Sequence, residues 1–329
     1  MNTRIYITDC DHTDVNMEKS VFDSAGEPFK WLDCKTPEEI IDQCKGAVAV
    51  INQYTKLDKQ VFEAIPTLKC VVRYGVGVDN VNIDDANHYG VQVCNVPDYG
   101  MNEVADHAMA LLLAIYRKVW LLGNDTKNKN WDFSIGPKIR RPEKQTIGII
   151  GTGRIGREFA KRAHAFNFNI IAYDEYYVKH TEESERLPFI KYVETLDELL
   201  MSSDIVSLHC GLDSSNYHFM NSKSFEKMKN GAYIVNVSRG GLIDEKDLSQ
   251  ALDSGKIAGA GLDVFNKEPI ETDNPLLSQP NCIITPHSAW YSEEASQQLK
   301  HDCAEIALAF VNGKIMEEKY AKNRVNEIN

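Results

Sequence analysis

A glycine-rich turn between a short apolar strand and a helix is the feature that most constrains this chain. The segment TIGIIGTGRIGREFAKR places Gly151, Gly153 and Gly156 directly after the apolar run. In this context the first glycine permits a tight turn, the second lets the backbone approach a pyrophosphate, and the third lets the helix pack against the strand. Because the amino end of the helix then faces the anion, the pattern predicts a dinucleotide-binding βαβ unit.

An acidic residue at the end of the next strand indicates which dinucleotide is bound. The run NIIAYD ends in Asp174, close to the position, about 20 residues beyond the glycines, where a carboxylate accepts hydrogen bonds from the adenosine ribose. The same carboxylate repels the 2′-phosphate of NADP, and the neighbouring Glu175 adds to that repulsion. We therefore expect the cofactor to be NAD.

The rest of the chain alternates short apolar, β-rich runs with helix-length segments of mixed polarity. The runs are IYIT, AVAVI, CVVR, TIGIIG, NIIAYD, IVSLHC, YIVNVS, AGLDV and CIITPH. This alternation is typical of βαβ units and of parallel sheets covered on both faces. With 329 residues, against roughly 100 to 200 per domain, the predicted fold is α/β with two doubly wound parallel-sheet domains, a Rossmann NAD domain and a smaller flavodoxin-like domain.

Two segments predict long helices. Residues 102–122 lack Gly and Pro and predict one helix, which Asn102 can cap and which carries Glu103 and Asp106 in its first turn. Both faces of its middle are apolar, which fits burial between lobes or subunits and fits core burial equally well. Residues 292–312 predict a second helix, which can return to pack on the first lobe.

Composition and charge exclude several partners. A formal net charge of −12 repels a phosphate backbone, so nucleic-acid binding is not expected as the main function. The densest basic run, Lys138–Lys144, is broken by Pro142 and Glu143 and is interpreted as a solvated connector. The longest apolar stretch, Met109–Tyr116, is far shorter than the roughly 20 residues that span a bilayer. We expect neither a nucleic-acid nor a membrane partner.

The cysteines and the first residues indicate a reducing compartment. None of the eight cysteines forms a CxxC pair, which excludes zinc ribbons and thioredoxin-like centres, and we predict no metal site. Buried free thiols are typical of cytosolic proteins. The N-terminal sequence turns acidic where a signal peptide needs an apolar stretch. We therefore expect no export and a cytoplasmic location.

Three polar residues follow apolar strands in separate loops. Arg239 lies in VNVSRGG, Glu268 in LDVFNKEP and His287 in ITPHSAW, and loops after the strands bind ligands in doubly wound folds. Oxidation of an alcohol needs a hydride acceptor, a base and a cation for a substrate carboxylate, which nicotinamide, His and Arg supply. Taken singly, each residue also fits a structural role: a surface cation, a turn acid before Pro269, or a hydrogen-bonded structural histidine.

Five longer segments closely resemble the D-isomer-specific 2-hydroxyacid dehydrogenase family. They are RYGVGVDNVNI, GVQVCNVPDYGMNEVADHAMALLLAIYR, GIIGTGRIGREFAKRAHAFNFNIIAYD, NGAYIVNVSRGGLIDEKDLSQAL and TPHSAWYSEEAS. Within the family, SLHCGLDSSNYHFMN and PHSAWYSEEAS are similar to the branch that contains the C-terminal-binding-protein corepressors and their bacterial dehydrogenase relatives. Formate dehydrogenases of the superfamily have Gln where this chain has Glu268, which argues against formate as the substrate.

The resemblance implies a role for each matching residue. Arg239 would bind the substrate carboxylate and carbonyl, His287 would be the acid/base, and Glu268 would pair with it. The backbone of Val76 and Gly77 would hold the substrate carboxylate. The residues implied to contact the cofactor are Gly151, Gly153, Arg154, Ile155, Gly156, Asp174, Cys210, Gly211, Asn216, Val237, Ser238, Asp263 and His287, and Trp290 would cover the substrate pocket.

The resemblance also implies a domain organisation and an assembly. The substrate-binding domain would comprise residues 1–101 with 298–329, and the NAD-binding Rossmann domain residues 102–297. The helix that starts at Asn102 would build a homodimer.

Three functions fit these features. The leading hypothesis is an NAD-dependent enzyme that interconverts a small 2-oxo acid and the D-2-hydroxy acid. A second, from a different class, is an NADH-sensing scaffold that works by binding protein partners, as the corepressor relatives do. A third, chemically close to the first, is phosphoglycerate dehydrogenase.

Overall fold

The computed structural model describes residues 3–328, which divide into two compact units. The first unit comprises the described residues up to Gly100 together with those from Ser292 onward, and the second comprises Met101–Tyr291. Residues 292–297, predicted with the nucleotide domain, thus lie in the first unit, because the helix beginning at Glu293 packs on the strands of that unit. No helix within residues 3–328 is long and apolar enough to cross a membrane.

The first unit is built on a five-stranded parallel sheet with the strand order β2-β1-β3-β4-β5. Its strands are β1 (Ile5–Ile7), β2 (Phe29–Trp31), β3 (Ala49–Asn52), β4 (Cys70–Arg73) and β5 (Gln92–Cys94). Its helices are α1 (Asn16–Ala25), α2 (Pro37–Gln43), α3 (Lys59–Ala64), α4 (Ile83–His88) and, from the end of the chain, α12 (Glu293–Val311). The predicted return of the last long helix to the first lobe is therefore observed, with α12 packed on α1, β3 and β4.

The second unit is built on a seven-stranded parallel sheet with the order β12-β11-β10-β9-β6-β7-β8. Its strands are β6 (Thr146–Ile150), β7 (Asn169–Tyr173), β8 (Ile190–Tyr192), β9 (Ile205–Leu208), β10 (Ala232–Asn236), β11 (Ile257–Leu262) and β12 (Cys282–Ile284). Its helices are α5 (Met101–Tyr116), α6 (Val119–Lys127), α7 (Arg154–Ala165), α8 (Glu175–His180), α9 (Leu196–Ser202), α10 (Ser222–Lys227) and α11 (Glu245–Asp253). Helices α5 and α7 cover one face and α9, α10 and α11 the other, so apolar cores lie on both sides of the sheet.

The register of this sheet brings the loops of interest to one edge. Leu208 of β9 pairs with Ile150 of β6 and with Asn236 of β10, and Leu262 of β11 pairs with Asn236 and with Ile284 of β12. The carboxyl ends of five strands are therefore level, and the loops that follow them begin side by side. Strand order reverses between β9 and β6, which is where doubly wound sheets open a ligand crevice.

The predicted α/β class with two parallel-sheet domains is confirmed, but two local predictions were wrong. The helix predicted over 102–122 is broken into α5 and α6, because Lys118 adopts a left-handed backbone conformation (φ 56°). Its buried ammonium donates to the Ile135 carbonyl, which holds the chain in this turn. Asn102 lies inside α5, where its side chain accepts from Arg162 at 3.1 Å instead of capping the helix.

Three strands were not predicted. β2, β5 and β8 have three residues each, and each lies at an edge of its sheet. Short edge strands are common in sheets. Each of these three, FKW, QVC and IKY, contains a polar or charged residue, so none shows the continuous apolar run that marks the central strands.

Candidate active site

The turn after β6 has the geometry that a bound pyrophosphate requires. Gly151 has φ +90°, and a side chain there would meet the backbone of Cys210, with a Cβ only 2.8 Å from its nitrogen. A Cβ at Gly156 would lie 2.1 Å from the Gly151 carbonyl oxygen, so the helix can approach the turn only without one. A Cβ at Gly153 would meet no atom within 4 Å. The turn is thus closed toward the protein and open toward the position expected for phosphate.

The acid at the end of β7 is held rigidly beside this turn. Asp174 Oδ2 accepts from the Thr152 amide at 2.6 Å and from its hydroxyl at 3.1 Å, while Oδ1 accepts from the Tyr177 amide at 2.9 Å. The neighbouring Glu175 accepts from the Tyr173 hydroxyl, a hydrogen bond that lowers the pKa of that carboxyl. Two carboxyl groups therefore stand where the adenosine ribose is expected, which fits a ribose diol and opposes a 2′-phosphate.

A cavity of about 530 Å³ adjoins these groups. Besides Gly151, Gly153 and Asp174, it is lined by Cys210, Gly211 and Asn216 from the loop after β9. The Asn216 amide donates to the Gly211 carbonyl at 2.8 Å and its oxygen accepts from the Asp213 amide at 2.9 Å, so it shapes the wall. Burial raises the pKa of the Cys210 thiol to about 11. Cys210 therefore lines the cavity as a thiol and does not act as a thiolate nucleophile. The residues present fit a dinucleotide along this edge.

Arg239 follows β10 at the same edge. Its guanidinium donates to the Ser238 carbonyl at 2.8 Å, and the Asn236 side chain holds the turn by accepting from the Ser238 amide and donating to the Arg239 carbonyl. The next residue, Gly240, lies against the backbone of Phe265, where a Cβ would come within 1.9 Å of the carbonyl carbon. This close approach joins the Arg239 loop to the loop that carries Glu268.

Glu268 and His287 form a hydrogen-bonded pair. His287 Nδ1 lies 2.6 Å from Glu268 Oε2, and the other carboxyl oxygen accepts from the Phe265 amide at 2.9 Å. The imidazole side chain is 39% exposed and the carboxyl side chain 34%. Burial acts to raise the pKa of Glu268, but the hydrogen bond and charge of His287, the Phe265 amide and the charge of Arg239 outweigh it and the pKa is lowered. An ionised carboxylate therefore orients the ring and leaves Nε2 available.

Asp263, predicted to contact the nicotinamide side, anchors the histidine loop. This buried carboxylate accepts from the Thr285 hydroxyl at 2.6 Å and from the amides of Ser288 and Ala289 at 3.0 and 2.9 Å. His107 of α5 approaches the same hydroxyl at 2.9 Å. Sequence analysis did not single out Thr285 or His107. Thr285 could have been noticed, since it stands two residues before His287 in TPHSAW.

The other predicted residues lie as follows. Arg154 and Ile155 begin α7, Val237 is packed in the core beneath α5 and α7, and the Ser238 hydroxyl donates to the Cys210 carbonyl. Trp290 follows the histidine loop. Its ring meets the Tyr291 ring edge-to-face, with the ring centroids 5.7 Å apart. Val76 and Gly77 lie in the loop after β4, in the first unit.

The second unit therefore combines a dinucleotide crevice with an imidazole–carboxylate pair and a guanidinium, all in loops after level strands. This combination defines an NAD-dependent oxidoreductase of the Rossmann class. Residues 109–289 match the family model described as D-isomer specific 2-hydroxyacid dehydrogenase, NAD binding domain. The chain belongs to the D-isomer-specific 2-hydroxyacid dehydrogenase family, and it is an NAD-dependent enzyme acting on the CH–OH group of 2-hydroxy acids.

Individual relatives agree with this placement. A glyoxylate reductase of Korarchaeum cryptofilum is 38% identical over 291 residues, which cover 87% of this chain and 86% of that protein. A hydroxypyruvate reductase of Blautia hydrogenotrophica is 41% identical over 268 residues, covering 80% and 81%. The crystal structure of D-lactate dehydrogenase from Aquifex aeolicus, complexed with NAD and lactic acid, is similar with a TM-score of 0.88 and 27% identity, covering 99% of this chain and 100% of that one.

Proposed function

We propose that this enzyme reduces a small 2-oxo acid, of the size of glyoxylate or hydroxypyruvate, with His287 as the acid/base and Arg239 as the carboxylate anchor. The observation that carries the proposal is the 2.6 Å contact between His287 Nδ1 and Glu268. A ring held at Nδ1 by a carboxylate presents Nε2 to a substrate oxygen. The two curated relatives above, a glyoxylate and a hydroxypyruvate reductase, favour a small substrate.

The reaction needs a proton and a hydride. Bound NADH would supply the hydride to the substrate C2, and the groups around the cavity that includes Gly153 and Asp174 would hold the dinucleotide. His287 Nε2 gives its proton to the carbonyl oxygen as C2 is reduced, and the neutral ring is reprotonated from solvent. In the opposite direction the same nitrogen takes the hydroxyl proton. Arg239 holds the carboxylate and stabilises negative charge on the carbonyl oxygen.

The first unit is proposed as the substrate-binding domain. The N–H groups of Val76 and Gly77, in the loop after β4, would hold the substrate carboxylate, and Trp290 would cover the substrate. This assignment follows the family pattern in RYGVGVDNVNI. The turn itself is a specific one, since Gly75 has φ +138°, a backbone conformation that side-chain-bearing residues rarely adopt.

Turnover with a panel of 2-oxo acids tests the function. We expect NADH oxidation with glyoxylate or hydroxypyruvate, and His287→Gln should lose roughly 100- to 10,000-fold in kcat while the Kd for NADH changes little. A matched control is His301→Gln, an exposed histidine of α12, which should keep full activity. Unchanged turnover in His287→Gln would refute the role of His287. If no 2-oxo acid of the panel is turned over although NADH binds tightly, the NADH-sensing scaffold hypothesis would be favoured instead. The reductase relatives argue against that outcome.

We propose that the enzyme is a homodimer. Helix α5 buries Ala105, Ala108 and Leu112 within its own unit, whereas Val119 and Trp120 of α6 and, beyond it, Trp131 and Phe133 are exposed, the last two by 93% and 88%. A second copy is the expected cover, since large aromatic groups in water are typical of subunit interfaces. Light scattering should give a dimer for the native enzyme and a monomer for the Trp131→Ser, Phe133→Ser variant. A native monomer at micromolar concentration would contradict the proposal.

Two finer assignments accompany this function. We place the enzyme in the branch similar to the C-terminal-binding proteins, on the segments SLHCGLDSSNYHFMN and PHSAWYSEEAS. We also propose a cytoplasmic location, which is supported by eight cysteines that are all free in the structure.

A further inference from the structure

A buried carboxyl group contacts a buried phenol in the first unit. Glu18 of α1 is 0% exposed, and Tyr74, which directly follows β4, is 1% exposed. The Tyr74 hydroxyl donates to Glu18 Oε1 at 2.7 Å, and Glu18 Oε2 has no hydrogen-bond partner among the described residues. Burying a carboxyl group that is only half satisfied is costly. An apolar side chain at position 18 would pack there without this cost.

Charged and aromatic groups surround the pair. Burial raises the pKa of Glu18, although the bond from Tyr74 and the charge of Lys300 act against the rise. Lys300 of α12 is itself held by Asp14, whose carbonyl accepts from the ammonium at 2.9 Å. The ring of His12 meets the Tyr74 ring edge-on at 5.1 Å. The Tyr74–Glu18 contact is therefore a buried, directional hydrogen bond that fixes the position of the phenol.

Tyr74 stands at the start of the loop proposed to hold the substrate carboxylate. Its amide donates to the Asn52 carbonyl at 2.9 Å and so extends the strand pairing by one residue. Beyond it, the Gly75 carbonyl accepts from the Val96 amide at 3.0 Å, and the Val76 carbonyl accepts from the Asn95 side chain at 2.6 Å. The loop is thus tied to the neighbouring loops by its backbone, whereas the Tyr74 phenol ties it to a helix.

We propose that Glu18 and Tyr74 are positioning residues for the substrate carboxylate. Their hydrogen bond fixes the start of the segment 75–77, so that the N–H groups of Val76 and Gly77 keep the orientation in which they meet the carboxylate. This inference rests on the proposed function. Neither residue touches the reacting atoms, so loss of the bond weakens substrate binding and leaves proton transfer by His287 intact.

Steady-state kinetics with glyoxylate separates this role from a purely structural one. Tyr74→Phe keeps the ring and removes the hydroxyl, and it should raise KM about 5- to 20-fold, with kcat within about twofold of native and an unchanged Kd for NADH. Glu18→Leu removes the acceptor and should reproduce this effect. Glu18→Gln keeps an acceptor for the Tyr74 hydroxyl and should restore a KM close to the native value.

A matched control removes another buried tyrosine hydroxyl. Tyr116 is equally buried, in the second unit, and its hydroxyl donates to the Arg140 carbonyl. Tyr116→Phe should lower the melting temperature without changing KM. The inference is overturned if Tyr74→Phe has the native KM, if Tyr116→Phe raises KM equally, or if Glu18→Gln and Glu18→Leu are kinetically alike. If the native enzyme itself turns over no 2-oxo acid, the proposed function fails first, a result visible before any variant is made.

Discussion

Adding one methyl group at Gly240 should separate the two loops that carry the proposed catalytic residues Arg239 and Glu268. A Cβ at this position would lie 1.9 Å from the Phe265 carbonyl carbon and 2.1 Å from its oxygen, whereas real Cβ contacts essentially never fall below 3.0 Å. The obstructing atoms are backbone and cannot rotate away, so the Arg239 and Glu268 loops must move apart by about 1 Å. A misplacement of that size costs about 100-fold in rate. Overpacking should also cost about 1–3 kcal/mol of stability.

The assay is kcat/KM for a 2-oxo acid, measured well below the melting temperature of the variant. Gly240→Ala should lose about 100-fold, while the Kd for NADH changes far less, because the glycine turn after β6 is untouched. Gly123→Ala is the matched control: this glycine lies in α6, a Cβ there would meet no atom within 4 Å, and its backbone is ordinary. Native kcat/KM in Gly240→Ala would show that the close approach of the two loops does not position the catalytic groups.

Asp174→Ala should reduce the preference for NADH over NADPH about tenfold through loss of charge repulsion, and an unchanged ratio of kcat/KM values would contradict this. Glu268→Gln should lower kcat for reduction about 100-fold, because an amide in place of the carboxylate no longer fixes the orientation of the His287 ring; a native kcat would exclude that role. Burial lowers the pKa of His209 to about 3, so below about pH 6.5 the unfolded chain binds a proton that the folded chain does not. As the pH is lowered below about 6.5, the unfolding free energy of the native enzyme, measured by urea titration, should therefore fall by about 1.4 kcal/mol per pH unit relative to that of His209→Gln. Parallel pH dependences of the two proteins would refute this assignment.

The cofactor half of the site could be predicted because its determinants are local in sequence. Gly151, Gly153 and Gly156 stand within one strand–turn–helix unit, and their spacing alone encodes the turn. The NAD-binding fold and the α/β class followed from that unit and from the apolar runs around it. Central strands such as β6 and β10 are buried along most of their length and show their pattern clearly, whereas β2, β5 and β8, at three of the four sheet edges, do not.

The break between α5 and α6 could not be predicted in this way. Every residue from 102 to 122 tolerates a helix, and the interruption depends on Lys118, whose ammonium reaches a carbonyl at Ile135 in a loop far along the chain. Lysine normally disfavours a left-handed backbone, so local propensity gives no warning. The Glu18–Tyr74 contact is of the same kind, since the two residues are brought together only by the packing of α1 beside the end of β4.

His287, the proposed catalytic histidine, shows how local sequence and long-range packing combine. His287 has φ 52°, a left-handed conformation that costs a non-glycine residue about 1–3 kcal/mol. Its amide donates to the Asp263 carbonyl at 2.8 Å, while the Asp263 carboxylate receives three further hydrogen bonds from Thr285, Ser288 and Ala289. Since β11 and β12 end level with each other, one buried acid can hold both sides of the turn. The register of two strands thus fixes a strained loop, and the strained loop directs the ring toward Glu268.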